Sequence, residues 1–348
     1  QACGDWADTI AAYRFFGNDE VQWADILAPH IESSTARMAA HPVVLCIQDT
    51  TELDFNGQEA NGLGPLSYEC QRGMYVHPTY AVSTSREPRG TDGKRSGVSE
   101  SLRWLEGYER LAEMAAQLPQ TRLVYLADRE ADIMALMVRA RDLGEPLDWL
   151  LRSKHNRTLS DGDKLWSRVT QGESLGEIRF TLASRQGKRA RSVVQTVWAQ
   201  TLQLPDGKGG FVRATCIVAR ELDPADGDKP IEWRLLTNLD LASLEQAAQM
   251  IDWYRARWEI EMFFHVLKNG CCIEALQLGS IEKIERALVL YMIVAWRIAR
   301  LMRLGRSCPD LDAQLMFEPD ESKAAYILNK LKIPTTPPTL NEVTRLVA

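Results

Sequence analysis

Between Ile251 and Lys268 the chain reads IDWYRARWEIEMFFHVLK, which threads charged and hydroxyl groups through an otherwise apolar helical pattern. On a continuous helix, at ~100° per residue, Tyr254, Arg257, Glu261 and Lys268 fall within an arc of roughly 60°. A phenol, a guanidinium, a carboxylate and an ammonium then share one stripe. Ile251, Trp253, Trp258, Ile260, Met262, Phe263, Phe264, Val266 and Leu267 surround it, which predicts a buried helix with almost no solvated face. Buried charge is costly unless it is paired or holds a metal, so the stripe demands partners.

Two further acids stand out by context. HPVVLCIQDTTELDF runs from an apolar stretch, Val43 to Ile47, into alternation, the pattern of a central strand with Asp49 near its middle. RLVYLAD is a short buried strand that ends at Asp128. A central strand, a neighbouring strand end and a packed helix can converge on one point. Asp49, Asp128 and Glu261 would then form an oxygen-ligand cage suited to two Mg²⁺ or Mn²⁺ ions. Such ions, ~3.5 to 4 Å apart, can activate a water or a 3′-hydroxyl and stabilise the leaving oxygen of a phosphodiester. Each acid also has an ordinary structural reading. Asp128 fits the N-cap of the following helix, Asp49 an exposed strand position, and Glu261 the i+4 partner of Arg257.

The elements that must position these groups follow from periodicity. Asp8 to Phe16 and Val21 to Leu27 read as short amphipathic helices, the second ended by Pro29. A turn-rich stretch leads to a strand over Met74 to Val82 and a helix from Val98 to Leu118. RLVYLAD, the helix READIMALMVRARDLG and the strand DWLLRSK suggest a parallel βαβ crossover. Alternating runs at Glu177 to Ala183, Ser192 to Leu204 and Phe211 to Arg220 mark a β insertion, after which IEWRLLTN returns the chain to the Tyr254 stretch. The tail reads as helical to Lys332, beyond which Pro334, Pro337 and Pro338 interrupt it.

The bulk composition sets bounds on partners. With 348 residues, 45% of them hydrophobic and 25% charged, the chain can form one large or two ordinary domains. The helix from Ile281 to Leu304 carries Arg286, Arg297 and Arg300 and reads as a core helix rather than a membrane span. Seven cysteines without a CxxC pair fit reduced thiols and make a zinc site an unfavoured reading. A net charge of −6 argues against nucleic-acid binding by the whole surface. Local basic clusters remain: Arg152, Lys154 and Arg157; Arg185, Lys188, Arg189 and Arg191; and Arg86, Arg89, Lys94 and Arg95. Solvated faces and turns are the alternative account of such runs.

YRARWEIEMFFHVLK resembles the YxxRxxxExxxxxxK signature of bacterial insertion-sequence DDE transposases, with Tyr254, Arg257, Glu261 and Lys268 at its four positions. IQDTT and ADREADI are similar to the two Asp-bearing strand ends of that family. The resemblance, nearest to cut-and-paste enzymes of the Tn-five type, implies an α/β fold: a ribonuclease-H-like mixed-sheet catalytic core with an inserted β subdomain and flanking helices. It implies a helical segment at 1–40 that is a remnant or linker of an end-binding domain, core at 41–158, insertion at 159–230, core with the Glu helix at 231–305 and a helical segment at 306–348.

For function, the resemblance implies Mg²⁺-dependent hydrolysis at transposon ends and transfer of the 3′-hydroxyl into target DNA, with Mn²⁺ able to substitute. Asp49, Asp128 and Glu261 would be catalytic metal ligands, and Tyr254, Arg257 and Lys268 would contact phosphates. Trp233 matches an aromatic wedge that supports a flipped base, although a core role suits it too. LLRSKHNR resembles a DNA-backbone strand and nominates Arg152 and Lys154, while His77 in RGMYVHP reads as structural. Double-stranded DNA, a homodimer in the DNA complex and a cytoplasmic, nucleoid-associated protein follow as expectations.

Departures from the family pattern are also expected. Neither its end-binding helical domain nor its C-terminal pairing region is recognisable in this chain, and AVST runs into SREPRGTDGKR with no room for the further core strand that the family places between Thr84 and Ser85, which points to a segment absent from the sequence rather than to a natural deletion. A chain that begins at Gln1 without Met is expected to lack residues upstream. The competing reading is a non-catalytic inhibitor that pairs with full-length transposase. A two-carboxylate glycosidase does not account for Arg257 and Lys268 beside the Glu.

Overall fold

The structure is a computed structural model. It describes residues 5–68, 70–96, 100–182, 190–224 and 229–347, without the side chains of 92–96 and 100. Arg185, Lys188 and Arg189, and the side chains of Lys94 and Arg95, lie outside that description. In chain order the elements are α1 (Trp6–Phe16), α2 (Trp23–Ala39), β1 (Val43–Gln48), β2 (Thr51–Asp54), β3 (Gly64–Pro65), β4 (Arg72–Ser83), β5 (Pro88–Ser96), α3 (Glu100–Gln117), β6 (Arg122–Ala127), α4 (Met134–Asp142) and β7 (Asp148–Arg152). There follow α5 (Leu165–Gln171), β8 (Gly176–Leu182), β9 (Arg191–Pro205), β10 (Phe211–Glu221), β11 (Glu232–Thr237), α6 (Leu244–Arg255), α7 (Trp258–His265), a π turn (Val266–Gly270), α8 (Ile281–Ser307), α9 (Pro319–Leu328) and α10 (Leu340–Val347). They fall into two compact units, residues 39–49 with 96–258 and residues 1–38 with 50–95 and 259–348.

In the first of these units, β1, β6, β7, β11, β10, β9 and β8 lie side by side. β1, β6 and β7 run parallel, and from β7 outward the pairing is antiparallel. The parallel strands VVLCIQ, RLVYLA and DWLLR are almost wholly buried, as expected where both faces are covered. The crossover expected between RLVYLAD and DWLLRSK is present. Trp104, Tyr108 and Leu111 of α3 recur at helical spacing and are buried. The Tyr108 and Tyr125 rings meet edge to face at 5.5 Å, and Tyr125 donates to the Trp104 carbonyl at 3.3 Å. A Cβ on Gly107 of α3 would come within 2.0 Å of Gln48 Oε1, so the bare glycine is what admits the buried Gln48 of β1 at this crossing. Asp49 follows β1 rather than sitting inside a strand, a correction to the central-strand reading.

In the other unit β4 pairs with β2, β3 and β5. β5 corrects the expectation that no strand follows Thr84. Arg86 takes the left-handed φ of 67°, Ser83 N–H donates to the Glu87 carbonyl at 2.9 Å, and the chain turns straight back along β4. Gly and Arg content masked this strand in the sequence. Pro29 likewise does not end its helix, because α2 continues through it to Ala39. The missing hydrogen bond costs about 3 kcal/mol and is offset by the buried stripe Leu27, His30, Ser34 and Met38. Phe263 of α7 stacks on Tyr80 of β4 at 5.0 Å. Buried Arg286 of α8 donates to the Val21 and Phe16 carbonyls at 2.6 and 2.7 Å. Leu301, Leu304, Phe317, Ala325, Leu340 and Val343 tie α8, α9 and α10 together. Among the described residues no helix is long and apolar enough to cross a membrane.

Candidate active site

The stretch from Ile251 to Lys268 is not one helix. α6 ends at Arg255, where Ala256 N–H and Arg257 N–H bond the Trp253 and Tyr254 carbonyls, both at 3.0 Å. These i→i+3 bonds tighten the last turn, and α7 starts afresh at Trp258. Beyond α7 the π turn closes with Cys271 N–H on the Val266 carbonyl at 2.8 Å, with Lys268 inside it. Both changes of pitch break the single stripe that 3.6-residue periodicity predicts. Nor is the segment wholly buried, since Trp258 is 57% and Met262 43% exposed.

In the unit that holds β1 and β6, Ile47 and Leu126 are register partners. Asp49 and Asp128 each lie two residues further on, at matched positions past the C-terminal ends of neighbouring parallel strands, which run about 4.8 Å apart. Asp49 Oδ2 accepts from Arg257 Nη1 at 2.6 Å. Asp128 caps the short turn after β6, its Oδ1 accepting from Glu130 N–H at 2.8 Å, whereas α4 starts only at Met134 with Ile133 at its N-cap, so the capping reading applies to the turn and not to the α-helix. These acids offer hard oxygen donors, the chemistry that Mg²⁺ and Mn²⁺ prefer. Among the described residues no group of three or more His, Cys, Asp or Glu side chains stands ready to hold a metal ion.

Tyr254, Arg152 and Trp233 form a second cluster in the same unit. Trp233, on β11 opposite Ala219, is half-buried and meets the Tyr254 ring edge to face at 5.6 Å. Arg152 Cζ lies 5.1 Å from the Trp233 ring centroid. Burial pushes the Tyr254 hydroxyl up to about 12, against the opposing charges of Arg257 and Arg152 and a hydrogen bond from Arg152. The phenol therefore keeps its proton at neutral pH. Burial also lowers the Arg152 pKa, with Arg129 and Arg257 acting in the same direction and Tyr254 opposing them.

Glu261 and Lys268 belong to the other unit. Glu261 is half-buried on α7. Lys268 Nζ stands 3.7 Å from Glu274 Oε1, which also accepts from Asp54 N–H at 2.9 Å. Burial pushes the Glu52 carboxyl up, but hydrogen bonds from Ser67 and Tyr75 and the Lys268 charge outweigh it and hold Glu52 below the usual carboxylate range. His77 is buried and meets Thr50 Oγ1 at 2.8 Å, as its structural reading expects.

The residue that sequence reasoning missed is Asp132, the second aspartate of ADREADI. It is fully buried, and its Oδ2 accepts from Lys154 N–H at 2.6 Å and His155 N–H at 2.9 Å. Arg157 Nη2 lies 2.6 Å from Oδ1 and donates to the Asp132 carbonyl at 3.0 Å. One carboxylate thus fixes the backbone that leaves β7 and presents Lys154 to solvent. The available signal was a second acid in a run whose first acid ends a buried strand.

Comparison with known protein families matches residues 106–297 to the Transposase DDE domain, residues 293–348 to the Transposase Tn5 dimerisation domain and residues 1–21 to Transposase DNA-binding. The two terminal matches correct the expectation that neither an end-binding nor a C-terminal pairing region is recognisable, and with it the main support for the inhibitor reading. Among solved structures, the cryo-EM structure of piggyBac transposase synaptic complex with hairpin DNA aligns at a TM-score of 0.40 and 8% identity, over 87% of this chain and 51% of that one. The chain thus spans about half the length of that protein. Because the DDE match covers more than half of the sequence, the chain belongs to the DDE transposases.

Proposed function

We propose that the protein is a DNA transposase of the bacterial insertion-sequence type with the Tyr-Arg-Glu-Lys signature, built on a ribonuclease-H-like core. It hydrolyses phosphodiesters at transposon ends and joins the freed 3′-hydroxyl to target DNA. The observation that carries this reading is the matched placement of Asp49 and Asp128 past adjacent parallel strands, with Arg257 on Asp49. Asp49 and Asp128, with Glu261 assigned by its place in the signature, would hold Mg²⁺ or Mn²⁺. When bound, such ions supply an activated water or hydroxyl and stabilise the leaving oxygen.

The chain's own groups then bind and orient the strand. The Arg257 guanidinium orients Asp49 and offers a planar fork to a phosphate. Tyr254 accepts a hydrogen bond from Arg152, so its retained proton is the one it donates to a phosphate oxygen. Lys154 and Arg152 neutralise backbone charge, Lys268 supplies a point charge, and Trp233 stacks against an unpaired base. The residues matched to the DNA-binding and dimerisation families support end recognition and pairing of two copies on DNA. The test is cleavage of duplexes carrying the element's own ends, in Mg²⁺ or Mn²⁺, by the full chain and by Asp49→Ala, Asp128→Ala and Glu261→Ala. Each substitution is expected to abolish cleavage while duplex binding persists. Cleavage that survives any one of them would sink that residue's assignment.

A further inference from the structure

In a chain of net charge −6, one local patch of the unit that holds α8 is rich in arginine. The end of α2, the turn between β4 and β5, the start of β5 and the C-terminal half of α8 contribute these arginines in two groups. In one, the Cζ atoms of Arg37 and Arg300 lie 4.4 and 5.5 Å from the centroid of the same Trp296 ring. Arg89 is beside them, its carbonyl accepting from Arg37 Nε at 2.7 Å. The one carboxylate described in this group is Glu87, ion-paired to Arg89. In the other, Arg86, Arg303 and Arg306 act on Glu259, with Arg303 Nη1 3.8 Å from its Oε1.

The first group carries uncompensated charge. Burial, then Arg300 and Arg89, lower the Arg37 pKa to about 10, and burial and Arg89 lower that of Arg300, with Glu87 opposing. Like charges in a half-buried setting repel, and folding alone does not explain why they are kept. Two buried donors of the group, Arg89 Nε and Trp296 Nε1, have no hydrogen-bond partner among the described residues. Arg300 stacks on Trp296 and is neither fully buried nor fully exposed.

We propose that these arginines form a phosphate-backbone site for duplex DNA in which Arg300 and Arg89 are ligands. Six guanidiniums against two carboxylates fit a polyanion better than a single small anion. The choice of duplex DNA as the polyanion rests on the transposase reading. None of these residues lies in the signature or in the basic stretch at the end of β7, so the site adds a contact that motif does not supply.

The experiment measures affinity for a fluorescent duplex without transposon ends, in metal-free buffer from low to moderate salt, using the full chain and the Arg89→Gln/Arg300→Gln variant. Losing two phosphate contacts should shrink the slope of log affinity against log salt by about two. Arg300→Lys, which keeps the charge, should retain its share of the slope. Melting reads the structural alternative: relief of repulsion predicts a midpoint for the double variant equal to or above that of the parent. An unchanged slope, or a lowered midpoint with an unchanged slope, overturns the proposal. So does a change in self-association without a change in slope, which would assign the arginines to an acidic protein surface. Absence of end cleavage by the parent chain, with the slope still reduced in the variant, would sink the enzymatic reading and leave this site standing.

Discussion

Two aspartate–arginine pairs in one compact unit have the same separation, 2.6 Å from Arg257 to Asp49 and 2.6 Å from Arg157 to Asp132. Their surroundings differ. Asp132 is 0% exposed and also receives two backbone N–H groups, whereas the Asp49 and Arg257 side chains are each 14% exposed, past a strand end. A carboxylate enclosed by backbone donors is committed to holding the chain in place. One at a strand end, held by a guanidinium, can exchange that cation for another. Distance alone does not separate a structural pair from a candidate catalytic one; burial does.

Substitution should pull these roles apart. Asp49→Ala is expected to reduce end cleavage by about a thousandfold or more, the scale on which loss of transition-state charge stabilisation is felt, with little change in the melting midpoint because the pair is not enclosed. A large fall in stability with residual cleavage would reverse the comparison. Asp132→Ala leaves two backbone N–H groups without their acceptor and Arg157 without its carboxylate, and should cost about 3 to 5 kcal/mol in denaturant unfolding. A loss below about 1 kcal/mol would show that water replaces the carboxylate.

Smaller effects test the neighbouring cluster. Trp233→Ala should weaken single-stranded or hairpin-end binding by about 1 to 3 kcal/mol, the range for one base–aromatic stack, while duplex binding changes little. Equal losses on both substrates would favour a packing role.

A further effect is expected from pH. His30 Nε2 accepts from Thr91 N–H at 3.4 Å, and burial and Arg37 hold its pKa near 4 rather than 6.5. The unfolded chain therefore binds the extra proton first. The stabilising contribution is complete above about pH 6.5 and is lost as pH falls toward about 4. A melting profile of His30→Gln that matches the parent over this window would discount the effect.

Much of the fold was legible because it is written in local periodicity. The buried runs of β1, β6 and β7 and the alternation of β8, β9 and β10 follow from side-chain patterns within each strand. The places where sequence reading failed are those where a local signal lost to packing. Pro29 stays in α2 because its buried stripe outweighs one missing hydrogen bond, and PRGTDGKRS forms β5 because β4 provides a partner. The stripe from Tyr254 to Lys268 was legible as a signature but not as a surface, since it assumed one helical pitch across a tightened turn and a π turn.

By itself the sequence determined the family signature, the order of the acids and the buried strands that lead to Asp49 and Asp128. These depend on spacing along the chain, which hydrophobic period and residue type encode directly. Only the tertiary structure decided that Arg257 holds Asp49, that Asp132 clamps the backbone before Lys154, and that Arg37 and Arg300 meet on Trp296 with Arg89 beside Arg37. Each joins residues far apart in sequence, and no local pattern records which charges meet when the chain closes on itself.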